Sequence, residues 1–343
     1  MRKLFRRFFI ALGILTAVIL VVCLIIGPIW ELSESHQAAL EFPPPGRLVK
    51  IDDRRIQIDC RGAGNPTVVF ESGLDILGSL SWTKVHEPVA QFTRACTYSR
   101  AGIIWSDDKH GFHDGPGVAR DLHAMLAAAG ERGPFVLVGH SLGGPYITIY
   151  TKLFGDEVAG LVYVDASHPD QQKRMEAALG KRPQSPALET ALKVAASVSW
   201  MGVVRLGESI LGDKFAPNTP AEAMKPAKVF ASKSLGPMLS EMDSIPATLS
   251  EVRQFRTLGA RPIAVLTHME PTPEVVLKIA GLSKADGEKM AGVWLDLQND
   301  MASWSSRSDH RIFNDAGHYI QFDRPDAVIA AIQEVVESIR SGT

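Results

Sequence analysis

Phe135-Val136-Leu137-Val138-Gly139-His140-Ser141-Leu142-Gly143-Gly144 is the stretch that decides how this chain folds. Four apolar residues of strand character run into Gly-x-Ser-x-Gly, and Pro145 to Phe154 reads as a helix. A serine on so sharp a strand-to-helix turn is forced into a strained backbone conformation with its oxygen lifted above the sheet. The residues two before and two after it must then be small, as Gly139 and Gly143 are. The helix that follows aims backbone N–H groups and a partial positive charge at the place where a carbonyl oxygen would gain negative charge.

Outward from that turn the chain alternates. Upstream, Arg47 to Ile51 and Arg54 to Cys60 flank Asp52-Asp53 and predict a hairpin. Thr67 to Phe70 and Arg94 to Tyr98 read as strands, Trp82 to Phe92 and Gly117 to Ala129 as helices. Downstream, Ala159 to Val164 (ending at Asp165), Pro262 to Leu266 and Arg311 to Phe313 read as strands, and Ala285 to Ser303 and Pro325 to Ile339 as helices. Strand and helix in alternation are the signature of a parallel sheet wound with right-handed crossovers. Between Asp170 and Ala260 no comparable strand occurs, only Ala-, Leu- and Met-rich stretches broken by prolines. A structureless loop of that length does not belong in a compact domain, so a helical insertion is expected there.

These elements and their order resemble the α/β-hydrolase superfamily, from about Arg47 to the C-terminus. The resemblance implies an α/β-hydrolase fold: a mostly parallel eight-stranded sheet, helices on both faces, and residues 170–260 as a lid above the substrate pocket. It also implies a serine hydrolase with Ser141 as nucleophile. A serine hydroxyl is nearly unreactive at neutral pH, so it needs a base, and histidine has the matching pKa. His318, in Asn314-Asp315-Ala316-Gly317-His318-Tyr319, has the Gly-His form and the place, before the C-terminal helix, of that family's base. His140, adjacent to Ser141, is expected to pack or line the pocket; His168, His268 and His310 have no motif behind them and are assigned ordinary roles.

The third member, a carboxylate to orient the imidazole, is where the chain departs from the family. Most relatives carry an aspartate just after the seventh strand, where this sequence reads Leu266-Thr267-His268-Met269-Glu270-Pro271-Thr272-Pro273. Asp165, ending the sixth strand as in some members, is preferred over Glu270. The resemblance places the oxyanion-hole donors at the backbone N–H groups of Leu142 and, in Glu71-Ser72-Gly73-Leu74, of Leu74. No cofactor is called for: Gly139 to Gly144 lacks the Gly-Lys-Ser/Thr ending of a phosphate loop and the dinucleotide spacing.

The whole chain has 343 residues, 45% hydrophobic and 22% charged, with net charge -2. That balance is globular and offers no electrostatic reason to expect nucleic acid as a partner. Cys23, Cys60 and Cys96 have no zinc-site spacing, and no metal is expected. In the resembled fold the second and fourth strands are neighbours, so Cys60 and Cys96 are either bridged or two small buried thiols.

Residues 8–30 hold 23 consecutive uncharged positions, about 34 Å as a helix and enough to cross a bilayer core of about 30 Å. An uncleaved anchor is preferred over a signal peptide, whose apolar region is shorter and ends at a small-x-small site. Residues 1–7, with Arg2, Lys3, Arg6 and Arg7, form a basic cytoplasmic end that leaves the remainder outside the cell membrane. Residues 31–46 read as a proline-rich spacer, 47–169 and 261–343 as the two parts of the hydrolase core. The expected activity is single-pass, membrane-anchored hydrolysis of a small-molecule carboxylic ester, thioester or amide. Its rivals are an acyltransferase using the same serine and a non-catalytic binding protein.

Overall fold

The computed structural model describes residues 2–180, 186–211 and 218–342. Eight strands form one sheet: β1 (Arg47–Ile51), β2 (Arg54–Arg61), β3 (Thr67–Glu71), β4 (Ala95–Tyr98), β5 (Phe135–His140), β6 (Val158–Val164), β7 (Gly259–His268) and β8 (Ser305–Phe313). Their order is β1-β2-β4-β3-β5-β6-β7-β8; β1 and β2 are antiparallel to their neighbours and the remaining pairs are parallel. The α/β-hydrolase fold expected from the sequence is therefore present, including the hairpin, whose turn holds Asp52 at φ 51°.

The helices are α1 (Arg2–Val21), α2 (Gly27–Glu41), α3 (His86–Ala90), α4 (Gly115–Ala129), α5 (Gly143–Leu153), α6 (Gln171–Leu179), α7 (Pro186–Ser197), α8 (Val203–Leu211), α9 (Ala221–Val229), α10 (Ala231–Arg253), α11 (Glu274–Ile279), α12 (Lys284–Ala302), α13 (Ile320–Asp323) and α14 (Pro325–Ser341). One apolar cluster joins one side of the sheet to α4 and α5 through Leu122, Met125, Leu137, Ile147, Tyr163 and Val265. A second joins the other side to α3 and α14 through Val68, Val136, Val162, Val328 and Ile332. β3, β5 and most of β6 are buried on both faces, which is why they read as unbroken apolar runs.

Several elements differ from the sequence reading, among them β7, which runs over Gly259–His268 rather than Pro262 to Leu266, and the short α11, which has no counterpart there. Trp82 to Phe92 is not one helix but a 3-10 turn (Gly78–Trp82) followed by the short α3. Trp82 turns inward there, against Phe70 at 4.9 Å between ring centroids. β8 starts six residues before the expected Arg311, at Ser305. It is an edge strand, so polar Ser306, Ser308 and Asp309 can face water and conceal it from an apolar pattern. α12 begins at Lys284 because Ser283 and Asp286 form a capping box. Most of the expected spacer, residues 31–46, is helical: α2 runs to Glu41, and only the proline-bearing residues 42–46 leave the helix.

Within 170–260, the described residues hold α6 to α10 and no strand before β7 begins at Gly259. Phe5–Glu41, broken only by a π-helical turn (Val22–Ile26), is long and apolar enough to cross a membrane. Cys60 and Cys96 face each other across β2 and β4 and are joined by a disulfide; Cys23 is free.

Candidate active site

Ser141 occupies the turn between β5 and α5 at φ 51°, a conformation that L-residues other than Gly, Asn and Asp rarely adopt. Three backbone bonds hold it: Ser141 N–H donates to Val164 O (3.1 Å), and its own carbonyl accepts from Gly144 (3.1 Å) and Ser167 (2.8 Å). A Cβ on Gly139 would lie 2.6 Å from Gly143 O, and one on Gly143 would lie 2.5 Å from Glu71 O. The flanking glycines are thus steric requirements of this turn.

Asp165 ends β6 in an equally unusual conformation, φ 45°, with its N–H bonded to Leu266 O (2.7 Å) and its side chain fully buried. Four donors converge on its carboxylate. His318 Nδ1 lies 2.5 Å and His268 Nδ1 2.6 Å from Oδ2, while Trp294 Nε1 (2.9 Å) and the backbone N–H of His268 (3.2 Å) reach Oδ1. Burial opposes its charge, but the hydrogen bonds and charges of His268 and His318 prevail and hold the carboxyl well below the usual range. The same contact raises His268 above an ordinary histidine: burial disfavours its charged form, and the bond to Asp165 outweighs that.

His318 sits in the turn after β8, 42% exposed, with its Nδ1 fixed on Asp165. His140 locates this turn. Its Nε2–H donates to the His318 carbonyl (3.0 Å), and its ring lies 4.7 Å from both the His318 and Tyr319 rings. Burial, then the proximity of His318, lowers the His140 pKa to about 3, so this imidazole stays neutral. The residue before Ser141 in sequence therefore grips the loop that carries His318. Glu270, the other acid considered, is exposed; its backbone N–H bonds Ala316 O (3.4 Å) and its side chain stands beside Gly317.

On the other side of Ser141 lies the turn after β3. A Cβ on Gly73 would approach His140 Nδ1 to 2.9 Å and Ser141 Cβ to 3.0 Å, so this turn lies flat against the serine. Leu74 and Leu142 pack together with Val118 and Tyr146. The buried Arg100 guanidinium donates to Ser72 O (2.8 Å) and Gly73 O (2.7 Å). In a trans peptide the C=O and N–H vectors oppose each other, so holding Gly73 O on Arg100 turns the Leu74 N–H away from it. Arg100 in turn bonds Glu71 (2.7 Å) and both carboxylate oxygens of Glu241 on α10 (2.8 and 2.7 Å).

Sequence reasoning missed His268, Trp294 and Arg100. His268, assigned an ordinary role, shares the Asp165 oxygen with His318; His310, by contrast, bonds Thr267 and His168 bonds Asp300. The signal for His268 was available in one respect, since it stands at the end of β7, where the family most often brings its acid. Ligand atoms of Asp165, His268 and His318 lie within 4.8 Å of one another, as do those of His168, Asp170 and Asp300. A small metal ion could be held at either place only by giving up the histidine-carboxylate bonds just described.

The chain belongs to the alpha/beta hydrolase family, whose model matches residues 54–331. Among curated relatives, the rice (Oryza sativa subsp. japonica) esterase PIR7B is 33% identical over 115 residues, 32% of this chain and 42% of the rice protein. The probable transporter efuK of Hormonema carpetanum is 29% identical over 150 residues, 43% of this chain but 21% of that protein. The chain thus spans less than half of either relative. A thermophilic esterase from Thermogutta terrifontis superposes with a TM-score of 0.59 at 19% identity, over 85% of this chain and 98% of that one, a likeness of fold.

Proposed function

We propose that this chain is a membrane-anchored serine hydrolase that cleaves a carboxylic ester through an acyl-enzyme, with Ser141, His318 and Asp165 as its triad. The observation that carries the reading is the His318–Asp165 bond, made in a loop that His140, the neighbour of Ser141, holds by its carbonyl. In the first half-reaction the Ser141 hydroxyl attacks the ester carbonyl carbon and His318 Nε2 takes its proton. Asp165, ionised and buried, stabilises the imidazolium. The backbone N–H groups of Leu142 and Leu74 receive the oxyanion. Collapse expels the alcohol, protonated by His318. Water, deprotonated by the same imidazole, then releases the carboxylic acid and restores the serine. The esterase among its curated relatives favours an ester over other carbonyl substrates.

The N-terminal helix supplies the anchor, and the basic residues preceding it favour a single-pass orientation with the hydrolase domain on the extracytoplasmic face of the cell membrane. The Cys60–Cys96 disulfide suits that oxidising side. The test is turnover of a chain-length series of nitrophenyl esters by the full chain and by Ser141→Ala. The expected outcome is hydrolysis by the wild type and none above background by the variant. Equal rates for the two would end the proposal, and a folded wild type that turns over nothing would favour the binding-protein reading.

A further inference from the structure

The lid is packed against the anchor at a level where the membrane should be. Counted from Phe8, the twentieth residue is Gly27, and twenty residues at about 1.5 Å each fill a hydrocarbon core of about 30 Å. At that residue the helix is in contact with the lid. A Cβ on Gly27 would lie 2.5 Å from Met201 O, and one on Gly202 would lie 2.7 Å from the Trp30 ring. The lid's 3-10 turn, Ser199–Met201, packs on α2 and also on the deeper π-helical turn Val22–Ile26.

An ion pair fixes this arrangement. Arg205 of α8 donates to both oxygens of Glu31 on α2 (3.1 and 3.0 Å) and to Ser35 (3.4 Å), with the Arg205 and Glu31 side chains only 12% and 11% exposed. Around this junction the apolar exposure of the anchor continues onto the lid. Ile29 and Leu32 of α2 are exposed, and so are Trp200, at 49%, and Val203 and Leu206, which share one face of α8 by their i, i+3 spacing.

We propose that this lid surface, Trp200 with the Val203–Leu206 face of α8, is a bilayer-docking surface inserted among the headgroups and upper acyl chains of the outer leaflet. The inference rests on the anchored reading given above. A lipid bilayer is the occupant because the surface continues the one face of the molecule that the anchor commits to lipid. The depth at which Gly27 meets Met201 leaves the Ser199–Met201 turn at the hydrocarbon boundary. A tryptophan flanked by aliphatic residues is the composition that favours such a boundary. The substrate class follows: an ester with an apolar acyl chain, dissolved in the membrane, meets the lid before it meets water.

The experiment uses the full chain in phosphatidylcholine vesicles carrying spin-labelled lipid, with an environment-sensitive fluorophore on one cysteine at a time. The three positions are native Cys23 in the anchor, Trp200→Cys in the lid, and Ser306→Cys at the start of β8 as a water-facing reference, the last two in a Cys23→Ser background. Lipid quenching at Cys23 and at position 200, and none at 306, is the expected result. Quenching at Cys23 with position 200 behaving like 306 overturns the docking and leaves the anchor standing. Protection of position 200 from aqueous iodide without lipid quenching, the mark of a second copy or another protein, also overturns it. An unquenched Cys23 removes the anchor and the docking together. As a check independent of labelling, Trp200→Glu should lower turnover of a vesicle-dissolved long-chain ester about ten-fold while sparing a water-soluble short ester; equal turnover of the long-chain ester by variant and wild type contradicts the docking.

Discussion

Two buried carboxylates flank the serine strand at the same end of the sheet, and they are held in opposite ways. Asp165, at the end of β6, and Glu71, at the end of β3, are 0% and 1% exposed, so burial penalises both charges heavily. Asp165 nevertheless stays well below the usual carboxylate range, whereas Glu71 is pushed up to about 7, by burial first and in spite of Arg100 and Tyr98. The difference lies in the company each keeps. Among the described residues, Asp165 is the only carboxylate bonded by its donors His268, His318 and Trp294. Glu71 must share one guanidinium with Glu241, leaving two acids to one fixed cation. One carboxylate is set to remain an anion beside a histidine; the other belongs to a scaffold that fixes a loop and can accommodate a proton.

Removing the charge of Asp165 should have the largest consequence. Asp165→Asn is expected to lower kcat for a short nitrophenyl ester by about a thousand- to ten-thousand-fold. Glu270→Gln, without a bond to His318, should change it less than about two-fold. Reversal of that order would move the acid to the loop after β7.

On the Glu71 side, Arg100→Lys cannot hold the Ser72 and Gly73 carbonyls and both acids together. It should cost about ten- to a hundred-fold in kcat with KM little changed, because the loss falls on the oxyanion. A variant that lost only KM, or only stability, would show that the turn keeps its shape without the guanidinium.

Smaller effects sharpen the electrostatic contrast. Glu71 has a folded pKa above its ordinary value of 4.5, so between pH 4.5 and about 7 the folded chain keeps a proton that the unfolded chain releases. Stability from this group therefore falls as pH rises through that window. Glu71→Gln should flatten the slope of unfolding free energy against pH there, as followed by urea titration.

His268 gains its partner on folding, and its pKa rises above 6.5. Its contribution is complete below pH 6.5 and is lost as pH climbs through the folded value. The stability gap between wild type and His268→Asn should accordingly be widest below pH 6.5 and narrow above it, with only a few-fold change in kcat. A gap that widened with pH would mean that His268 is held as the neutral ring.

What could be read from the chain alone follows the distance over which each fact is decided. The turn at Ser141 is local: strand, two glycines and helix lie within twenty residues, and the structure has that turn. His318 stands out by its Gly-His motif, but its place against His140, 178 residues away, depends on how the turn after β8 folds back over the end of β5. The contact of Asp165 with two imidazoles, 103 and 153 residues away, depends on how β6, β7 and β8 lie side by side, and no local pattern encodes it. Arg100 is hidden for the same reason, its partner Glu241 being 141 residues distant. α2 is masked in the sequence by Pro43-Pro44-Pro45, which follow it only after the helix has ended at Glu41. The packing of α8 on that helix joins Arg205 to Glu31, 174 positions apart, and no local pattern encodes it.

The most direct measurement is labelling of the folded full chain with a fluorophosphonate, followed by mass spectrometry of its peptides. A phosphonyl adduct requires a serine whose proton a neighbouring base removes. A single adduct on Ser141 is expected, absent from Ser141→Ala and formed at least about a hundred-fold more slowly in His318→Asn and Asp165→Asn. A wild type that folds but takes no label, or an adduct that forms as fast without His318, would contradict the proposed triad.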